Sequence, residues 1–476
     1  MRRSRGAESG PHGTSGGIAD SRPEPPADSH PAPPPEPAVE GPDLAAERRT
    51  ELLDLTGWLL LAGLGLGLTL LAVGLGARLG TAAAPFAGRY HLIVNPASLL
   101  APTVAVLVLL AVANGIPDRL GWPVLQLTGY AGTAAWTLAL VAVDGGTGLT
   151  HGLAGAGYLA ELPRVGDDPG GYLTGFAAHA ADSPATRDHP PLPVLLLWAA
   201  GRLGLHRPVL LGVAVTLVGA LVTPLVAAAV RSLCGEPAAR RLLPVLVLAP
   251  YAPWVAVNVD AVTAALGAAF IAVATVGSRP GRPGPARLLW ASLCGLLLGL
   301  SALYSYAVIW LAATVLCVYF VRRRPLLNVA TGMFALLPLV AAESLGFSWP
   351  EGLAGSRRNL AGWAGAPGSA LVWTLLGLVV LVLAAGPALV ASARKVRLTP
   401  GWPFLVGGVL SVAWTIAAGL THGEAERAWL PFFPWLLIGA VAPAHRGGPP
   451  PRPQLLLLAA GAATAICLQA ILRSPW

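Results

Sequence analysis

Two adjacent acids, Asp167 and Asp168, stand in a Gly-Asp-Asp-Pro-Gly-Gly-Tyr run that ends on Tyr172, and Asp188-His189-Pro190-Pro191 follows twenty residues after Asp168. A carboxylate partly withdrawn from water has its pKa raised toward the working range and can take a proton from a hydroxyl. The same pair can form nothing more than a solvated Asp-Pro-Gly turn. Pro169 restricts Asp168 to extended backbone, which favours Asp168 over Asp167 as the base. His189 is as suited to holding the loop's shape as to touching a ligand. Asp260 opens an apolar run and can cap it, line a site, or both. Two further groups carry arginine: Arg357 with Arg358, and Arg427 just after Glu424 and Glu426. Guanidinium forks suit phosphate oxygens, and the reading favours a lipid phosphate at Arg427 over the Arg357–Arg358 pair, with pairing to neighbouring acids the plainer alternative. Cys234, Cys294, Cys317 and Cys467 show no disulfide framework or zinc spacing; no cofactor is expected, and a divalent metal is not indicated.

What must position these residues is a membrane-embedded scaffold. Of 476 residues, 55% are hydrophobic and 11% charged, and the mean hydropathy is +0.65. A soluble enzyme of this length needs far more polar surface. The formal charge of +8 comes without the aromatic and basic interleaving of a nucleic-acid binder and is read as topology. Residues 1–50 hold ten prolines and no apolar periodicity, as expected of a disordered cytoplasmic tail. Apolar runs then predict thirteen spans, near 56–77, 98–114, 122–143, 207–230, 242–256, 258–277, 287–302, 304–320, 326–343, 370–391, 403–419, 429–444 and 454–472. The expected class is an all-α integral membrane protein, with extra spans in 51–120 ahead of a multi-span domain at 121–476. The first run lies far from the N-terminus and lacks a small-residue cleavage site, which reads as an anchor.

With the N-terminus inside, fifteen basic residues fall in short inner loops against ten spread over longer outer ones. The acids beyond the tail sort the other way, and the loops at 144–206 and 344–369 are outer. Within the first, Val194–Leu205 is too short to span and is expected to lie in the interface, opened by prolines. Tyr304, Tyr306 and Trp254 are expected in the outer aromatic belt. The C-terminus comes out extracytoplasmic.

The Asp-His-Pro-Pro-Leu-Pro segment, following an acidic pair and a Tyr, resembles the first outer loop of the GT-C membrane glycosyltransferases. The likeness is to glycosyltransferase family 39, the protein O-mannosyltransferase and lipid A aminoarabinose transferase group. It implies a GT-C-like fold and places Asp167 or Asp168, with His189, Pro190 and Pro191, in the site. Val257-Asn258-Val259-Asp260 resembles the family's acid at the outer mouth of a span, and 295–303 its Gly-Leu-rich helix. Trp349-Pro350-Glu351-Gly352 with Arg357 and Arg358 is similar to a loop in bacterial relatives. Gly423-Glu424-Ala425-Glu426-Arg427-Ala428-Trp429-Leu430 is likewise similar to a late segment. The likeness covers roughly 144–440. Many relatives carry a Lys where this chain has Ser305, so a phosphate contact is missing there.

The resemblance implies transfer of a sugar, with inversion, from a polyprenyl-phosphate donor to a cell-envelope glycan, lipid or protein acceptor on the extracytoplasmic face of the plasma membrane. A transporter or lipid flippase is the competing class, whose mark would be mid-membrane ionisable groups and paired broken spans. An inactive relative acting as a scaffold is the third. Cysteines introduced at Gly171, Gly355 and Gly423 are expected to react with an impermeant thiol reagent in intact cells, and one at Gly281 to stay unlabelled. Outside labelling at position 281 would reverse the orientation.

Overall fold

The computed structural model describes residues 44–76, 89–90, 92–363, 369–420, 424–443, 445, 448 and 451–473. The expected tail lies outside them up to residue 43, but its last part does not stay irregular: the first helix already begins at Leu44. Leu-Ala-Ala-Glu-Arg-Arg is strong helix-forming sequence, and proline no longer interrupts it.

Among the described residues seven helices are long and apolar enough to cross a membrane: Ala45–Ala72, Pro96–Ala113, Trp122–Leu149, Pro208–Cys234, Val259–Gly277, Gly284–Tyr304 and Leu327–Ser344. An eighth is counted if Leu371–Ala385 and Ala388–Arg394, bent by 100°, are one span. Val308–Val321, Trp402–Ala417 and Leu455–Ile471 are apolar helices shorter than the roughly 20 residues a span usually takes. The protein is therefore an all-α multi-pass membrane protein. Among the described residues the one ladder is the two-residue antiparallel pairing of Arg89–Tyr90 with Leu472–Arg473.

Besides the bent run at 370–391, two of the thirteen expected spans are broken. The run at 242–256 ends as helix at Val247 and resumes only as the turn Ala252–Val255. Pro250 and Pro253 lack the N–H that would continue the ladder. The run at 429–444 resolves into Phe433–Leu436 and the 3-10 turn Ile438–Val441. Pro431 and Pro434 interrupt it for the same reason, and this irregular backbone is buried among other helices, where its polar groups can be paired.

Close approach sets the packing elsewhere. A Cβ on Gly295 would fall 2.3 Å from the Thr331 carbonyl oxygen, and one on Gly299 2.3 Å from that of Ala335. The helices Gly284–Tyr304 and Leu327–Ser344 thus touch backbone to backbone across a small-residue face. The first helix is docked by polar contacts: Arg394 donates Nε and Nη2 to the two oxygens of buried Asp54 at 2.8 and 2.7 Å, and Trp58 Nε1 donates to the Val382 carbonyl at 2.8 Å. The loop 144–206 folds into short helices over an apolar cluster that includes Tyr158, Phe176 and Val194. Phe176 meets Phe347 edge-on at 5.4 Å, which joins this loop to the segment entering the helix Trp349–Trp363. Val194 and Leu197 of the short helix Leu192–Arg202 turn into that cluster, while Leu196 and Leu203 stay exposed. Tyr304, Tyr306 and Trp254 form no belt at the surface; all three are buried in the packed interior.

Candidate functional site: a buried arginine–carboxylate network

The site is assembled by three short segments. The first is Asp188-His189-Pro190-Pro191, held between the turn Pro184–Arg187 and the helix Leu192–Arg202. The second is the entry to the helix Val259–Gly277, where Asn258, not Asp260, caps by accepting the Asp260 N–H at 2.9 Å. Asp260 is left free to face the site. The residue before the cap, Val257, has φ 55°. A β-branched residue there is strained by about 1–3 kcal/mol. Its N–H is held by Thr216 Oγ1 at 2.9 Å, in a place where a Cβ on Gly152 would lie 2.6 Å from the Val257 carbonyl oxygen. The third is the turn Ala425–Ala428, whose neighbour Trp429 anchors it by donating Nε1 to Thr415 Oγ1 at 2.7 Å.

Arg427 stands at the centre with its side chain 3% exposed. Its Nη2 donates to Asp188 Oδ2 at 3.0 Å and also to Glu424, and its Nε lies 3.3 Å from Asp260 Oδ2. Arg187 Nη2 is 3.8 Å from the other Glu424 oxygen. His189 Nε2 lies 3.9 Å from Asp188 Oδ1 and 4.0 Å from Asp260 Oδ1, with its ring edge-on to Tyr158. The partners Asp188 and Arg427 are 239 residues apart in the chain.

Burial decides the protonation states. Desolvation holds the His189 imidazole below its ordinary value, so it is neutral at neutral pH. Burial pushes the Glu424 carboxyl up, because Arg427 and Arg187 only partly offset the desolvation and Asp188 opposes its charge. Burial works against the Arg427 charge, but Glu424, Asp188 and Asp260 outweigh it and keep the guanidinium protonated. Two guanidinium groups, Arg187 and Arg427, thus face three carboxylates, Asp188, Asp260 and Glu424. The excess acid is a place to hold or receive one proton.

The other residues singled out by sequence lie differently. Asp168 caps the helix Pro169–His179 and accepts the Gly171 N–H at 2.8 Å. Asp167 pairs with Arg202 at 2.8 Å, with side chains 88% and 64% exposed. Tyr172 is buried but belongs to a second group, its hydroxyl 3.5 Å from Glu161 and its ring against His179. Pro190 is buried beside His189, and Glu426 is buried next to Arg427. Arg357 and Arg358 are exposed on the helix Trp349–Trp363, which packs against the turn Pro184–Arg187 leading to Asp188. Ser305 is buried at the end of the helix Gly284–Tyr304, where its hydroxyl accepts the Ala307 N–H at 3.3 Å. Asp188, to which the segment's resemblance gives no role, directly precedes His189 and pairs with Arg427; an acid adjoining the His-Pro-Pro segment is the sequence signal for it. Among the described residues no group of three or more His, Cys, Asp or Glu is placed to hold a metal ion.

Removing Arg427 leaves three carboxylates without their shared cation. Arg427→Gln is therefore expected to lower stability in neutral detergent by about 3–5 kcal/mol. Glu424 has a folded pKa above its unfolded one, so its contribution is fully present below the unfolded value and is lost as pH rises through the folded value. The variant should melt closest to the parent near about pH 5 and fall further behind near about pH 8. Asp168→Ala, which loses only a helix cap, should cost about 1 kcal/mol at either pH.

No known family profile and no curated protein matches the chain. Among solved structures, the crystal structure of ArnT from Cupriavidus metallidurans in the apo state is similar at 21% identity and a TM-score of 0.39 over 53% of this chain. The matched part is 48% of that protein, so the likeness spans about half its length.

Proposed function

We propose that the protein is an integral membrane glycosyltransferase that moves a sugar from a polyprenyl-phosphate donor to a cell-envelope acceptor on the extracytoplasmic face. One observation carries the reading. The Asp-His-Pro-Pro segment, the acid at the mouth of the helix Val259–Gly277 and the Glu-x-Glu-Arg segment resemble the same family, and the fold brings them within 4.0 Å of one another. A lipid-linked donor suits this setting, because nucleotide sugars are absent outside and a polyprenyl chain can lie between membrane helices.

In this reading the base is drawn from the outer edge of the network. The Asp188 and Glu424 side chains are 13% and 12% exposed, against 3% for Asp260, so an acceptor hydroxyl reaches them first. One carboxylate takes the hydroxyl proton as the acceptor oxygen bonds to the anomeric carbon. The bond from that carbon to the phosphate oxygen breaks, and polyprenyl phosphate leaves with the electron pair, giving inversion. Arg427 holds the carboxylates in place instead of meeting the phosphate, since a site already one negative charge in excess repels another anion. The phosphate falls to Arg357 and Arg358, exposed on the helix that adjoins Pro184–Arg187. Asp260 at a helix end, not at mid-helix, gives the transporter reading no support.

Membranes containing the chain should consume a short-chain polyprenyl-phosphate sugar, followed by headgroup-resolved mass spectrometry. Glu424→Gln or Asp188→Asn should slow this by about 10²–10⁴-fold, the usual worth of general-base catalysis. The Arg357→Ala and Arg358→Ala pair should raise the donor concentration at half-saturation and leave the limiting rate closer to the parent's. A loss confined to Asp168→Asn or Asp167→Asn would return the base to the exposed loop. No donor consumption by the parent, across mannosyl, glucosyl and aminoarabinosyl headgroups, would remove the transferase reading.

A further inference from the structure

At the far end of the helix Val259–Gly277, about 26 Å from Asp260 along the helix, the charge pattern reverses. The C-terminal ends of three helices, Val222–Cys234, Val259–Gly277 and Ala312–Val321, meet there and draw in arginines. Arg279 Nε donates to Ser232 Oγ at 3.0 Å, and that hydroxyl donates to the Thr275 carbonyl at 2.7 Å. Arg322 Nη2 donates to the Ser232 carbonyl. Arg282 Nε donates to the Val276 carbonyl at 3.0 Å, while its guanidinium lies 4.9 Å from the Trp290 ring centre.

Capping of helix C-termini explains one N–H of each arginine. The positive-inside bias puts arginines at this end, but it does not set two of them, Arg279 and Arg322, on the same Ser232. Arg279 feels the like charges of Arg231, Arg282 and Arg322, and these with burial lower its pKa. The acid beside them, Glu236, is already taken by Arg231 and Arg240. Arg322 Nε is buried with no hydrogen-bond partner. Two residues beyond Ser232, Cys234, which feels the charge of Arg322, lines a largely apolar cavity of about 520 Å³ walled also by Val230, Arg397, Trp402, Ile438 and Val441.

We propose that Arg279, Arg282 and Arg322 form a binding site for a phosphate-bearing anion at the membrane end opposite the Arg427 network. The phosphate oxygens accept from the free guanidinium N–H groups and relieve the repulsion among them. A lipid headgroup in the adjoining leaflet and a soluble phosphate present the same chemistry to these groups, and the cavity would add an acyl-chain contact for the lipid alone.

The full-length chain, purified in neutral detergent, would be titrated with phosphatidylglycerol, phosphatidylcholine or inorganic pyrophosphate and followed by native mass spectrometry and thermal melting. Phosphatidylglycerol should bind more tightly than phosphatidylcholine and raise Tm. The Arg279→Gln and Arg322→Gln pair should weaken that binding by about tenfold or more, as loss of charged hydrogen bonds requires. The Arg279→Lys and Arg322→Lys pair keeps the charge and should weaken it by less, and it decides the matter if the Gln pair does not fold. A Tm rise with pyrophosphate equal to that with phosphatidylglycerol would make the anion a soluble one. Equal binding of both lipids with no response to pyrophosphate, or phosphatidylglycerol binding unchanged in the variants, would overturn the site.

Discussion

A guanidinium taken out of water must find carboxylates or destabilise the fold, and Arg427, 3% exposed, finds three. None of the three could serve alone, since each is itself mostly buried and needs the arginine in return. The outer loop must therefore fold back until Asp188 reaches the bundle, and the helix Val259–Gly277 must start where Asp260 can turn inward. The strain at Val257 and the cap at Asn258 follow from that second demand, because they fix the entry of the helix. The run after Trp429 is broken by Pro431 and Pro434, and the turn Ala425–Ala428 before it faces the loop.

Much of this frame was legible in the sequence because bilayer thickness imposes a local signal. Runs such as 258–277, 287–302 and 326–343 appear within a few residues of the helices observed. Where prolines interrupt an apolar run, as at Pro250 or Pro431, hydropathy still reads continuous while the backbone is not. The aromatic residues Tyr304 and Tyr306 show the same limit: a helix end is visible in the sequence, but which side of it meets other helices is not.

The site was legible by segment and not by residue. His189, Asp260, Glu424 and Arg427 were each singled out, and they meet. Asp167 and Asp168 offered two readings, base or turn, and the structure places one in a surface pair and the other in a helix cap. Asp188 stands in the Asp-His-Pro-Pro segment, but its pairing is not legible there because its partner lies 239 residues away. Charge then divides the molecule: acids exceed arginines around Arg427, while arginines exceed acids around Ser232 at the opposite end of one helix.

Arg427 and Asp188, paired at 3.0 Å across that sequence separation, should act as one energetic unit. A double-mutant cycle with Asp188→Asn and Arg427→Gln, read as unfolding free energy in neutral detergent, measures their coupling. The two changes should couple by about 1–3 kcal/mol, with the double variant less damaged than the sum of the singles. Additivity within about 0.3–0.5 kcal/mol would mean that the two residues do not share an energetic unit, and would contradict the account.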